Sequence, residues 1–139
     1  MTEKIILTRT TQSGLDLLMG MKRIGVMKWK IAFVAYCCLI LWLSSLAPKE
    51  LPDQALAVPD YLLHFLEYSF LGFLGWAAFG GSGVGFPWGL FAYCACFGIA
   101  DECWQEWWSK GRSPEVWDVA MDAAGSFAGL LCSMVFWKK

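Results

Sequence analysis

Two stretches of this chain hold residues whose types and spacing can do chemistry. The segment "GIADECWQEWWSKGRSPEVWDVAMDAAG" (98–125) carries six acids: Asp101, Glu102, Glu106, Glu115, Asp118 and Asp122. Upstream, Asp60, His64 and Glu67 are spaced by four and three residues, which puts them on one face of a helix. Asp118 and Asp122 repeat the four-residue spacing. His64 with Glu67 can serve as a general-base pair. Asp101, Glu102, Asp118 and Asp122 offer hard oxygen ligands suited to a divalent cation such as Mg²⁺ or Ca²⁺. One histidine among carboxylates is a weak zinc signature. Neither G-x-S-x-G nor H-E-x-x-H occurs, so nucleophilic hydrolase and zinc-protease chemistry have no motif to stand on.

Each of these residues also has an ordinary structural use. Asp60 follows Pro59 and precedes an apolar run, the position of a helix N-cap. Glu106 and Glu115 read as solvated, Glu115 in a first helical turn where negative charge is favoured. His64 can equally be a packed histidine bonded to a backbone carbonyl. Asp101 and Glu102 are adjacent acids near a helix C-terminus, where the dipole disfavours them. Arg112, just beyond, is the cation that could clasp them bidentately, for function or for structure alone. Glu67 and Asp122 are harder to assign to structure. Asp122 lies eight residues into its helix, about 12 Å along it. An acid at that depth in a membrane costs about 3 kcal/mol on insertion scales and marks a functional position.

The elements that carry these residues are apolar. Of 139 residues, 58% are hydrophobic and nine are Trp, with mean hydropathy +0.48. Charged residues make up 17%, against roughly 25% in soluble domains. The net charge of −1 gives no support for nucleic-acid binding. The pattern predicts an all-α integral membrane protein with four transmembrane helices at about 30–47, 60–79, 86–108 and 114–137, behind a basic tail over 1–29. The uncharged run from Ile31 to Pro48 is long enough to cross a bilayer with its flanks. "SLA" at 45–47 makes a cleaved signal peptide its rival, but Pro48 and the polar tail ahead of the run favour a retained span. Met21 and Met27 are alternative starts.

No charge occurs from Tyr68 to Ala100, and "GGSGVGFPW" breaks that stretch into a hairpin, with Pro87 suited to the first turn of the next helix. Gly111 ends the third helix; Ser113 caps the fourth and Pro114 opens it. Eight basic residues fall on the side of the two termini and three on the other, which places both termini in the cytoplasm. Trp29, Trp76, Trp88 and Trp137 then lie near the inner boundary; Trp104, Trp107, Trp108 and Trp117 lie near the outer one. The acids gather in the outer half, above a Gly125-x-x-x-Gly129 packing seam. The six cysteines sit mostly in apolar runs without a C-x-x-C pair and read as core filler, with Cys94 and Cys96 on different sides of one helix.

"DYLLHFLEYSFLGFL" (60–74) followed by "ADECWQEWWSKGRSPEVWDVAMDAAGSFAG" (100–129) resembles the VanZ-like family of small bacterial membrane proteins. That family joins an Asp-x-x-x-His helix to D-E-x-x-Q, a G-R turn and D-x-x-x-[ND]-x-x-G. The resemblance covers about 30–139 and marks Asp60, His64, Asp101, Glu102, Gln105, Arg112, Asp118, Asp122 and Gly125. Tyr61 stands where members often have Lys, and Asp122 where Asn is common, so this version of the cluster is more acidic. The resemblance implies a multi-pass protein of the bacterial cytoplasmic membrane with a cell-envelope role, and lowered glycopeptide or lipoglycopeptide (teicoplanin-type) susceptibility. Three functions stay open. One is binding or modifying a lipid-linked or wall-associated ligand, with Arg112 and Lys110 on anionic head groups. Another is a metal-dependent intramembrane enzyme acting on a lipid head group, with His64, Glu67, Asp101 and Asp122 as catalytic candidates. The last is proton or cation handling. Ligand binding, by Asp60, His64, Glu67, Asp101, Glu102, Gln105, Arg112, Asp118 and Asp122, is the favoured expectation.

Overall fold

Apolar runs punctuated by Gly and Pro fold as helices in the computed structural model, which describes residues 24–50, 57–80, 85–108 and 115–137. Among these residues there are four α-helices: α1 (Ile24–Ser44), α2 (Asp60–Phe79), α3 (Trp88–Trp108) and α4 (Val116–Phe136). A 3-10 turn over Pro48–Glu50 follows α1. Helices α1, α2 and α4 are long and apolar enough to cross a membrane. Helix α3 is of the same length, but Asp101, Glu102 and Glu106 near its C-terminal end lower its hydropathy, and it is not among those three.

Boundaries depart from expectation at the ends. Helix α1 is described from Ile24, inside the expected tail: Lys28 and Lys30 are exposed and interrupt the apolar run without interrupting the helix. Asp60 is the first residue of α2 and not its N-cap; Pro59 takes that position and no side chain caps the end. Pro87 sits immediately ahead of α3, where its carbonyl accepts from the Leu90 and Phe91 amides. Gly111, Ser113 and Pro114 lie outside the described residues, and α4 is described from its N-cap, Glu115.

Helix directions follow from which ends touch. Phe33 of α1 meets Phe79 of α2, and the Tyr36 hydroxyl donates to the Glu67 carbonyl at 3.2 Å, so α1 and α2 are antiparallel. Helices α1 and α3 are parallel, since Phe33 meets Tyr93 at one end and Ser45 meets Trp104 at the other. Helices α2 and α4 are parallel too, with His64 beside Asp122 and Phe73 beside Ser133. The bundle therefore runs up, down, up, down. Its apolar core joins Phe33, Cys37 and Ile40 of α1 to Tyr68, Leu71 and Leu74 of α2 and Cys94 of α3.

Of α2, α3 and α4, helices α2 and α4 approach most closely, and glycines allow it. A methyl at Gly125 would overlap the Phe65 carbonyl, and one at Gly129 the Ser69 carbonyl. On the facing helix a Cβ at Gly72 would lie 2.5 Å from the Ser126 carbonyl oxygen. Removing side chains from both faces lets backbones touch, which drives association where lipid offers no hydrophobic gain. The expected 125/129 seam is thus present, with Gly72 as its counterpart. Outward faces keep large apolar residues such as Ile31, Val34, Leu66, Phe70 and Ile99 exposed, a surface that suits a lipid bilayer. All six cysteines are free, Cys94 buried and Cys96 exposed.

Candidate functional site

The up–down order brings four helix ends together: the C-terminus of α1, the N-terminus of α2, the C-terminus of α3 and the N-terminus of α4. The polar residues expected from spacing meet there. His64, in the second turn of α2, is buried, and so are Asp101, Glu102 and Gln105 of α3 and Asp118 and Asp122 of α4. His64 Nδ1 lies 2.9 Å from Asp122 Oδ1. A carboxylate only accepts, so Nδ1 carries the hydrogen and donates it. The other ring nitrogen, Nε2, lies 3.7 Å from Glu102 Oε1. The histidine is therefore bonded to a carboxylate of another helix, not to a backbone carbonyl.

Glu102 is placed by its second oxygen. The Glu115 backbone N–H donates to Glu102 Oε2 at 3.2 Å. This answers the difficulty of an acid near the C-terminus of α3: the N-terminal end of α4, with its unsatisfied amides and positive dipole end, faces that acid. Glu102 Oε1 and Asp122 Oδ2 are buried and accept no hydrogen bond among the described residues. Asp122 reaches this position because Gly98 faces it; a Cβ there would lie 2.7 Å from Asp122 Oδ2.

Around this centre, Tyr68 Oη donates to Asp101 Oδ2 at 3.5 Å, and Gln105 Nε2 donates to Ser44 Oγ at 3.5 Å. Trp104 Nε1 donates to Ser45 Oγ at 2.8 Å, fixing the end of α1 against α3. Two groups have ligand atoms mutually within 4.8 Å: His64 with Glu102 and Asp122, and His64 with Asp60 and Asp118. Asp60 is exposed while the other members are buried, so the second group links the buried centre to the surface.

Several expected residues take other places. Glu67 is half-buried on α2, one turn from His64, whose two ring nitrogens face Asp122 and Glu102. Asp101 is fully buried but belongs to neither ligand group, because it points to Tyr68. Of the four acids expected as ligands, Glu102 and Asp122 join His64 in one group and Asp118 joins it in the other. Arg112 and Lys110 lie outside the described residues. Glu106 and Glu115 are exposed, as expected.

Gly98, Ser44, Tyr68 and the Glu115 amide are contributors that the sequence reading missed. Gly98 had a signal, since it lies three and four residues before Asp101 and Glu102 and so shares their face. The opposite end of the bundle is aromatic, with Trp29 against Trp137 and Lys30 over the Phe79 ring. A cavity of about 720 Å³ opens there among Phe33, Trp76, Phe79, Phe86 and Leu90, and no described residue of its wall is a carboxylate or an imidazole. Among the described residues, the buried ionisable side chains gather at the His64 end. No family model, curated protein or solved structure matches the chain.

Proposed function

We propose that this chain is a VanZ-like protein of the bacterial cytoplasmic membrane that binds a lipid-linked or wall-associated envelope ligand at its His64 end. The observation that carries the reading is the linked pair of groups around His64: buried Glu102 and Asp122 on one side, exposed Asp60 and buried Asp118 on the other. A polar centre buried between helices, yet connected to the surface by one exposed acid, is suited to a ligand arriving from the interface. In this reading all four helices span, with both termini in the cytoplasm. The parallel pairing of α1 with α3 and of α2 with α4 supports that arrangement. So does the burial of Asp101, Glu102 and Gln105, which turns the polar face of α3 toward protein. At about 1.5 Å per residue, α3 is roughly 32 Å long, enough for a hydrocarbon core of about 30 Å. The stacked pair Trp104–Trp108 and exposed Trp107 and Trp117 then mark the outer interface.

Native mass spectrometry of the protein in nanodiscs doped with a polyprenyl phosphate tests this. The wild type retains the carrier lipid, and Asp60→Ala with His64→Gln reduces retention at least 10-fold. Equal retention by both proteins would refute the reading. In a Gram-positive host, expression of the wild type lowers teicoplanin susceptibility, and His64→Gln abolishes the effect.

A further inference from the structure

We infer that His64 and Glu102 hold a divalent first-row metal ion, bound through His64 Nε2 and Glu102 Oε1, with Asp122 as the carboxylate that orients the imidazole. The inference rests on reading the His64 end as a ligand site and names the ion that belongs to it. Three observations carry it. First, the Asp122 bond at 2.9 Å places the hydrogen on Nδ1, which leaves Nε2 as the nitrogen available to a metal. Carboxylate–histidine–metal arrangements use this same division of labour: the outer carboxylate fixes tautomer and ring angle and raises the basicity of the ligating nitrogen.

Second, Nε2 and Oε1 face each other at 3.7 Å, beyond the usual hydrogen-bond range of about 2.7–3.2 Å. Two ligand atoms at about 2.1 Å from one tetrahedral ion lie roughly 3.4 Å apart, and a modestly wider angle spans the observed gap. Third, Glu102 Oε2 is already held by the Glu115 amide, while Oε1 is buried and accepts nothing among the described residues. The side chains of His64 and Glu102 are each only 4% exposed. A buried carboxylate oxygen left without a donor costs several kcal/mol unless a cation meets it. The imidazole selects the class of ion: nitrogen with carboxylate suits Zn²⁺, Mn²⁺ or Fe²⁺ better than Ca²⁺ or Mg²⁺, which prefer all-oxygen shells. Asp118 belongs to the other group around His64, with Asp60, and is not a ligand of this ion.

Six free cysteines make thiophilic ions poor probes, so Mn²⁺ alone is the probe of choice. The full chain in detergent, stripped with chelator, is titrated with Mn²⁺ and read by electron paramagnetic resonance. We expect one bound ion whose spin-echo modulation reports a histidine nitrogen. His64→Gln and Glu102→Gln each weaken binding at least 100-fold; Glu102→Gln keeps an acceptor for the Glu115 amide and preserves the fold, checked by circular dichroism. Asp122→Asn weakens it 10- to 100-fold, the range for an outer carboxylate. Absence of binding to folded wild type, binding without the nitrogen signal, or binding unchanged in Glu102→Gln would each overturn the proposal. Polyprenyl phosphate retention by the stripped protein is measured in parallel. Retention without Mn²⁺ binding removes the metal and leaves the ligand site standing, so the two failures are distinguishable.

Discussion

Gly98→Ala is a one-carbon change that tests the architecture of the site. The new Cβ would lie 2.8 Å from Asp122 Cβ and 2.7 Å from its Oδ2. Rotating the carboxylate relieves only the second contact, because the Asp122 Cβ is fixed by its backbone. To reach ordinary contact that separation must grow from 2.8 Å to at least 3.4 Å, so α3 and α4 must part or tilt. Overpacking of this kind costs about 1–3 kcal/mol. Displacing Asp122 from His64 forfeits an interhelical hydrogen bond worth about 0.6–1.7 kcal/mol in a membrane bundle. Replacing a mid-helix glycine returns about 0.5–1 kcal/mol. The net is a destabilisation of about 2 kcal/mol. Gly89→Ala is the control on the same helix, since no atom lies within 4 Å of its added Cβ. It gains the propensity term alone, reduced because Gly89 lies in the first turn of α3, and is stabilised by at most about 0.5 kcal/mol. Reversible SDS unfolding in mixed micelles, followed by the fluorescence of the nine tryptophans, compares the two. If both variants shift stability in the same direction, the close approach of Gly98 to Asp122 is refuted.

Other outcomes follow from the same geometry. Gly129→Ala sets a methyl against the Ser69 carbonyl, a backbone atom that cannot swing away, and is expected to cost about 3 kcal/mol in the same unfolding assay. Trp104→Phe removes the donor to Ser45 while keeping an aromatic ring, and should lower stability by about 0.5–1.5 kcal/mol; an unchanged midpoint would show that this contact does not hold α1 to α3. Single cysteines introduced into a cysteine-free chain test the orientation. Trp108→Cys should react with an impermeant maleimide in intact cells and Trp137→Cys only after lysis; the reverse pattern would invert the topology.

Much of the fold was legible because it is local. Runs such as Ile31–Leu46 and Tyr68–Ala100 can satisfy their backbone in lipid only as helices, so composition and length suffice to locate them. Helix ends were less legible: α1 extends back through Lys28 and Lys30, whose long side chains can follow an apolar surface while keeping their charge at the boundary. The faces were readable as well. A four-residue spacing puts Asp60 beside His64 and Asp118 beside Asp122 on any helix, and Gly125 with Gly129 announced a seam.

The sequence by itself determined which residues share a helix face and roughly which end of the bundle they occupy, since rise and twist per residue are the same in every α-helix. Only the tertiary structure decided which faces meet. The rotation and depth of α3 and α4 against α2 set His64 on Asp122 and Glu102, where spacing along the chain had suggested Glu67. The amide that holds Glu102 comes from Glu115, thirteen residues away, through a helix end. The gap that admits Asp122 is the missing side chain of Gly98 on another helix. These choices depend on how closely backbones approach across helices, a property of packing that no spacing within a single helix contains.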